Sequence, residues 1–196
     1  MKKGRELPKI FSDEDVRALL AVPNMRRPTG IRNRAMLELM YRAGLRVGEL
    51  CRLNVRDVQV RERRIHIRAA IAKNKVERYV QIEDGTLELV ERWKREREKY
   101  ADGSKILFVT LKGSPVSPHY CWQMMQRYGR RAGIEGPCHP HMLRHTYATE
   151  LMSEGDLNIR EIQNLLGHKS VDTTMIYTHV SEPKLAEKIR RRQRGF

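Results

Sequence analysis

The sequence predicts an α+β fold that is mainly helical, with helices arranged around a small three-stranded antiparallel sheet. Three observations lead there. Apolar residues recur at helical spacing through most of the chain, the period shortens to two only between residues 55 and 82, and glycine and proline punctuate these segments singly. At 196 residues, 40% hydrophobic and 32% charged, the chain carries enough apolar material for one core, so residues 1–196 are expected to form a single domain.

Ser12 can cap a helix whose first turn holds Asp13, Glu14 and Asp15, with Val16, Leu19 and Leu20 following at i, i+3 and i+4. Pro23 and Pro28 mark a loop. From Ile31 a stronger helix places Met36, Leu39, Met40 and Ala43 on one face and stops at Gly44, the position of a left-handed cap. A short helix follows over 47–53. The pairs Val58/Val60, Ile65/Ile67 and Val80/Ile82 alternate with polar residues and read as three strands, with residues 72–76 at a hairpin tip.

Helical spacing returns over 86–100, and residues 101–104 and 113–115 bracket a loop carrying the apolar run Ile106-Leu-Phe-Val109. After Pro118, the residues Cys121, Met125, Tyr128 and Ala132 again share one helix face. Residues 133–140 form a loop, and Leu143, Tyr147 and Leu151 line a helix over 141–153, with Pro140 suited to its first turn. Ile159, Ile162 and Leu166 make an amphipathic helix ended by Gly167. Ser170 can cap a short helix leading to Tyr177, and a last helix with a basic tail occupies about residues 182–196.

The charge narrows the class of partner. Lys and Arg number 39 against 24 Asp and Glu, a net charge of +15, which attracts polyanions; nucleic acid leads and an anionic membrane surface follows. No apolar stretch approaches the ~20 residues of a membrane span, and the basic start Met1-Lys-Lys-Gly-Arg-Glu has no hydrophobic region after it. A cytoplasmic, nucleoid-associated protein is expected, with no membrane partner. Cys51, Cys121 and Cys138 are odd in number and far apart, which suits buried reduced thiols rather than a disulfide framework. Three Phe, seven Tyr and two Trp, scattered along the chain, give little support to a base-stacking RNA platform.

Helical spacing sets His141, Arg144 and His145 on one face near a helix N-terminus, where an anion is favoured and a phosphate is the natural guest. An arginine fork matches phosphate oxygens, and a neutral imidazole can exchange a proton near pH 7. Arg46 lies just past the Gly44 cap, with Glu49 three residues on and able to orient it. His168 and Tyr177 stand nine residues apart across a capped turn, close enough for one cleft. A zinc site built from Cys138, His139, His141 and His145 is set aside: no paired CxxC accompanies them, Pro140 restricts the backbone, and Arg144 would repel a cation. No phosphate-cradling glycine loop and no two-metal carboxylate set is present in the sequence, so no metal or other cofactor is expected.

Arg46 within GLRVGEL, the hairpin AKNKVER, HPHMLRHTYATEL, LLGHKSVDTT and MIYTHV, in that order, resemble the catalytic domain of tyrosine recombinases, the phage-integrase and Xer-like family, over about residues 7–188. The resemblance implies a nucleophilic Tyr177, phosphate-clamping Arg46 and Arg144, His141 and His168 at the phosphate, and a hairpin lysine. That lysine is Lys73, with Lys75 the alternative; Glu49 and His145 would support the set. The implied activity is site-specific DNA recombination by strand cleavage and rejoining through a covalent 3′-phosphotyrosyl intermediate, without metal or ATP. Two other readings stay open, a non-cleaving DNA-binding regulator of a full-length recombinase and strand relaxation of the type IB topoisomerase kind.

Two departures from the family pattern accompany this: the hairpin tip lacks glycine, and the motifs start too early to leave room for the usual N-terminal core-binding domain, so a catalytic domain alone is expected. The implied partner is double-stranded DNA, with self-association into a tetramer on it and a monomer open to the isolated domain. Residues 117–131 are the candidate groove helix. Ser117, His119, Tyr120 and Gln123 would face bases, while Lys75, Arg78, Arg127, Arg130 and Arg131 would contact DNA phosphates. Leu185, Ala186 and Ile189 form a stripe suited to docking on a neighbouring subunit.

Overall fold

The computed structural model of the chain describes residues 9–154 and 159–166. Helix α1 (Asp13–Ala21) opens on a reciprocal box in which Ser12 Oγ accepts the Asp15 N–H at 3.1 Å and the Asp15 carboxylate accepts the Ser12 N–H at 3.2 Å. Helix α2 (Pro28–Arg42) begins three residues before the apolar periodicity does, because proline's fixed φ suits the first turn and its missing N–H is no loss there. Ala35, Met36, Leu37, Leu39 and Met40 are all fully buried, so α2 is covered on most of its circumference and forms the axis of the core. It ends as expected at Gly44, whose φ of +58° is left-handed, and the Leu45 N–H reaches back to the Leu39 carbonyl at 3.2 Å.

Helix α3 (Val47–Leu50) is a single turn, shorter than the spacing predicts, and a 3-10 turn (Val55–Asp57) leads from it into the sheet. Strands β1 (Val58–Gln59), β2 (Arg64–Ile67) and β3 (Arg78–Gln81) pair antiparallel in the order β1-β2-β3, with Ile65 opposite both Val58 and Val80. One face buries Ile65, Ile67 and Val80. The other carries Tyr79, stacked on His66 at 4.6 Å between centroids and lying under the Arg64 guanidinium at 4.2 Å. The β2–β3 connection has no glycine; Lys75 takes the left-handed turn itself, at φ +56°, and the Asn74 side chain accepts the Val76 N–H.

Helix α4 (Asp84–Arg97) packs on α2 and seats the fully buried Trp93, whose indole N–H donates to the Leu107 carbonyl at 2.8 Å. Leu107, Phe108 and Val109 are therefore core rather than loop surface, held by bridges from Asn54 to Ile106 and from Val109 to Pro115. Helix α5 (Pro118–Arg131) is capped by Ser117, and α6 (Pro140–Glu154) packs on α2 and on α7 (Ile159–Leu166). All three cysteines are buried thiols. Among the described residues no helix is long and apolar enough to cross a membrane. The helices expected over 170–177 and 182–196 lie outside the described residues.

Candidate active site

The left-handed residue at the end of α2 organises the site. A Cβ on Gly44 would stand 2.7 Å from the Tyr147 ring and 2.9 Å from Leu166, so only glycine lets α6 and α7 close on this turn. The Gly44 carbonyl accepts a hydrogen bond from Arg144 Nη1, and Nη2 of the same guanidinium donates to the Leu166 carbonyl at 2.6 Å. Arg144, 3% exposed, thus ties the ends of α2 and α7 to the first half of α6.

Arg46 directly follows that turn as the residue capping α3. Its backbone N–H and its Nη1 each reach the Glu49 carboxylate at 3.1 Å, the i, i+3 pairing expected from the sequence. Arg78, from the start of β3, grips the same carboxylate with two parallel bonds, Nη1 to Oε1 at 2.9 Å and Nη2 to Oε2 at 2.8 Å. Burial alone would raise the Glu49 pKa; the hydrogen bonds and charge of Arg78, then those of Arg46, outweigh it and hold the carboxyl below its usual range.

A cavity of about 310 Å³ opens beside α3, lined among others by Arg46, Arg52, Ile71, Lys73 and His141. Residues from three separate stretches meet there: the α3 turn, the β2–β3 connection and the N-terminus of α6. Lys73 lines the cavity and Lys75, exposed at the turn, does not. Although His141 as a residue is solvent-exposed, packing around its ring lowers its pKa below 6.5, and the charges of Arg144, His139, Arg46 and Lys73 add to the shift. His145, half-buried one turn on, is pushed down to about 4 by burial and then by His141, Arg144 and His139. Both imidazoles are neutral at pH 7, so the site combines fixed guanidinium charge with a ring able to accept a proton. Arg52 was not anticipated; it reaches the rim because its Nη2 bonds the Ile71 carbonyl at 2.7 Å, a contact with no local signature.

The depressed histidine has a stability consequence. The unfolded chain protonates His145 near 6.5, the folded chain only near 4, so between those values the unfolded state binds more protons and stability falls as pH drops. Urea midpoints are expected to fall from pH 7 to pH 5, and less steeply in His145→Asn than in the parent chain. Parallel pH dependences in the two proteins would remove His145 as the cause.

Three of the residues expected to contact DNA have partners within the fold. Ser117 Oγ is occupied as the helix cap, accepting the Tyr120 N–H at 3.1 Å. The Tyr120 hydroxyl turns inward to Arg32 and to Asn33 Nδ2, the latter at 3.1 Å. Arg78, its side chain 9% exposed, is an internal partner of Glu49 and not a surface cation. His119, Gln123, Arg127, Arg130 and Arg131 do lie exposed, as does Lys75 on its turn. Trp122, 51% exposed, was missed; it and Gln126 line a groove of about 490 Å³ with Gln123, Arg127 and Arg130. Its position one residue after buried Cys121, off the apolar stripe, was the available signal. Gln126 also donates to the Cys138 carbonyl at 2.8 Å, linking α5 to the loop that leads into His141. His168 and Tyr177 lie outside the described residues.

Comparison with known proteins places this geometry. A sequence model described as the phage integrase family matches residues 9–184. Tyrosine recombinase XerC of Vibrio parahaemolyticus is 40% identical over 187 residues, covering 95% of this chain and 59% of that protein. Tyrosine recombinase XerD of Pseudomonas putida is 37% identical over 187 residues, covering 94% of this chain and 61% of that one. The chain thus spans about three fifths of the length of these relatives. Among solved structures, XerA recombinase superposes with a TM-score of 0.83 at 30% identity, over 95% of this chain and 66% of that one. XerH site-specific recombinase bound to palindromic difH substrate, a post-cleavage complex, gives 0.81 at 28% identity, over 96% of this chain and 54% of that one.

Proposed function

Because the chain belongs to the phage integrase family, we propose that it is the catalytic domain of a site-specific tyrosine recombinase that cuts and rejoins double-stranded DNA. The observation that carries this is the meeting of Arg46, Lys73 and His141 around one cavity, with Arg144 one turn along α6 from His141. A phosphodiester undergoing displacement gathers negative charge on its nonbridging oxygens, and preorganised guanidinium donors stabilise that charge without a metal ion.

In the proposed reaction Tyr177 Oη attacks phosphorus and its phenolic proton passes to neutral His141. The bond from phosphorus to the 5′ oxygen breaks, and Lys73 supplies the proton that oxygen needs. Arg46 and Arg144 hold the nonbridging oxygens, and His168 adds a hydrogen bond to them. The product is a 3′-phosphotyrosyl ester and a free 5′ hydroxyl. A 5′ hydroxyl from another strand then attacks the ester and Tyr177 leaves, so bond energy is conserved and ATP is not consumed. The exposed face of α5, with Gln123, Arg127 and Arg130, suits the groove and backbone of the duplex, and two sites are expected to be brought together by a tetramer on DNA.

Incubation of the chain in EDTA with a randomised library of nicked duplexes, followed by SDS isolation and peptide mapping, tests this. A covalent DNA adduct on residue 177 is expected. Salt-sensitive DNA binding without any adduct would overturn the cleavage reading in favour of a non-cleaving DNA-binding regulator.

A further inference from the structure

Glu49 joins two stretches of chain that are remote in sequence. On one side is the α3 turn that presents Arg46; on the other is β3, whose first residue, Arg78, directly follows the connection carrying Lys73. The two guanidiniums do not share Glu49 equally. Arg78 holds both of its oxygens, at 2.9 and 2.8 Å, while Arg46 meets it at 3.1 Å through Nη1 and through its backbone N–H. The pair is enclosed, with side-chain exposures of 9% for Arg78 and 2% for Glu49. A two-point guanidinium–carboxylate bond of this kind is directional as well as strong.

We propose that Arg78 is a positioning residue for strand cleavage: by gripping Glu49 it orients Arg46 toward the cavity and anchors the base of the segment that bears Lys73. The inference rests on the cleavage reading above. The alternative role for Arg78 is a direct contact to a DNA phosphate.

The two roles separate in the dependence of DNA affinity on salt. Each phosphate contact contributes about 0.9 to the slope of log affinity against log salt concentration. In the full 196-residue chain, Arg78→Met is expected to keep the wild-type affinity and slope while its cleavage rate at saturating duplex falls about a hundredfold, the scale of a small misplacement at a reacting centre. Arg78→Lys keeps the charge without the two-point fit and is expected to recover part of that rate. It decides alone if the methionine variant does not fold, at least about tenfold slower cleavage with an unchanged slope being the supporting result. A slope reduced by about one phosphate contact, or cleavage by both variants within threefold of an active wild type, overturns the proposal while leaving the cleavage reading intact. A wild-type chain that binds DNA and never cleaves it overturns the cleavage reading, and the proposal with it.

Discussion

Phenylalanine in place of Tyr177 is expected to eliminate the covalent adduct, a loss of at least about ten-thousandfold, as for other enzymes deprived of their nucleophile, with DNA affinity essentially unchanged. The ring is kept and no phosphate-binding charge is removed, so only the attacking oxygen disappears. Three other tyrosine hydroxyls, those of Tyr41, Tyr120 and Tyr128, are engaged within the fold. Tyr41 donates to Glu150 at 2.9 Å, and burial followed by that carboxylate raises its pKa above the ordinary phenol value, the wrong direction for a nucleophile. The Tyr120 and Tyr128 hydroxyls accept from Asn33 Nδ2, at 3.1 and 2.8 Å, and face the interior. Quantitative SDS gels with end-labelled nicked duplex measure the adduct; a variant that still forms one would assign the nucleophile elsewhere.

Arg144→Met is expected to damage catalysis and stability together. Loss of one preorganised donor at a developing oxyanion lowers turnover by about a hundred- to a thousandfold. The same substitution leaves the Gly44 and Leu166 carbonyls without the donors they have in the folded chain, each costing about 1–3 kcal/mol in a buried setting. Methionine nearly fills the volume, so the loss comes from hydrogen bonding and charge more than from a cavity. Lysine at this position carries the charge on a single ammonium that does not reproduce a fork between two carbonyls, so Arg144→Lys should fall between the parent and the methionine variant in stability. Urea unfolding and single-turnover cleavage measure the two effects. A methionine variant as stable as the parent would show that this guanidinium does not hold α2 and α7 together.

What could be read from the chain follows the range of the physics involved. The caps at Ser12 and Gly44, the buried face of α2, the three alternating strands and the helix after Pro118 depend on spacings of a few residues, and all were legible. So were the pairs of functional residues that lie within one helical turn, Arg46 with Glu49 and His141 with Arg144 and His145. Their order along the chain also carried the family resemblance, later borne out by the family match. The burial of residues 107–109 was not legible, because it depends on what packs against the segment.

The site divides in the same way. Charged residues look alike in a sequence whether they end in solvent or inside, and only the fold decides which are desolvated. Arg78 reads as a surface cation until β3 lays it against Glu49; Arg144 reads as a phosphate ligand until its contacts with the ends of α2 and α7 reveal that it is also a structural tie. The choice of Lys73 over Lys75 for the cavity, the arrival of Arg52 at its rim and the outward turn of Trp122 likewise depend on how remote segments meet. The sequence by itself determined the elements, their order and the residue types of the site, since these rest on local periodicity and capping. The tertiary structure alone decided which cations face the cavity and which hold it in shape, because burial and pairing energies are set by neighbours distant in the chain.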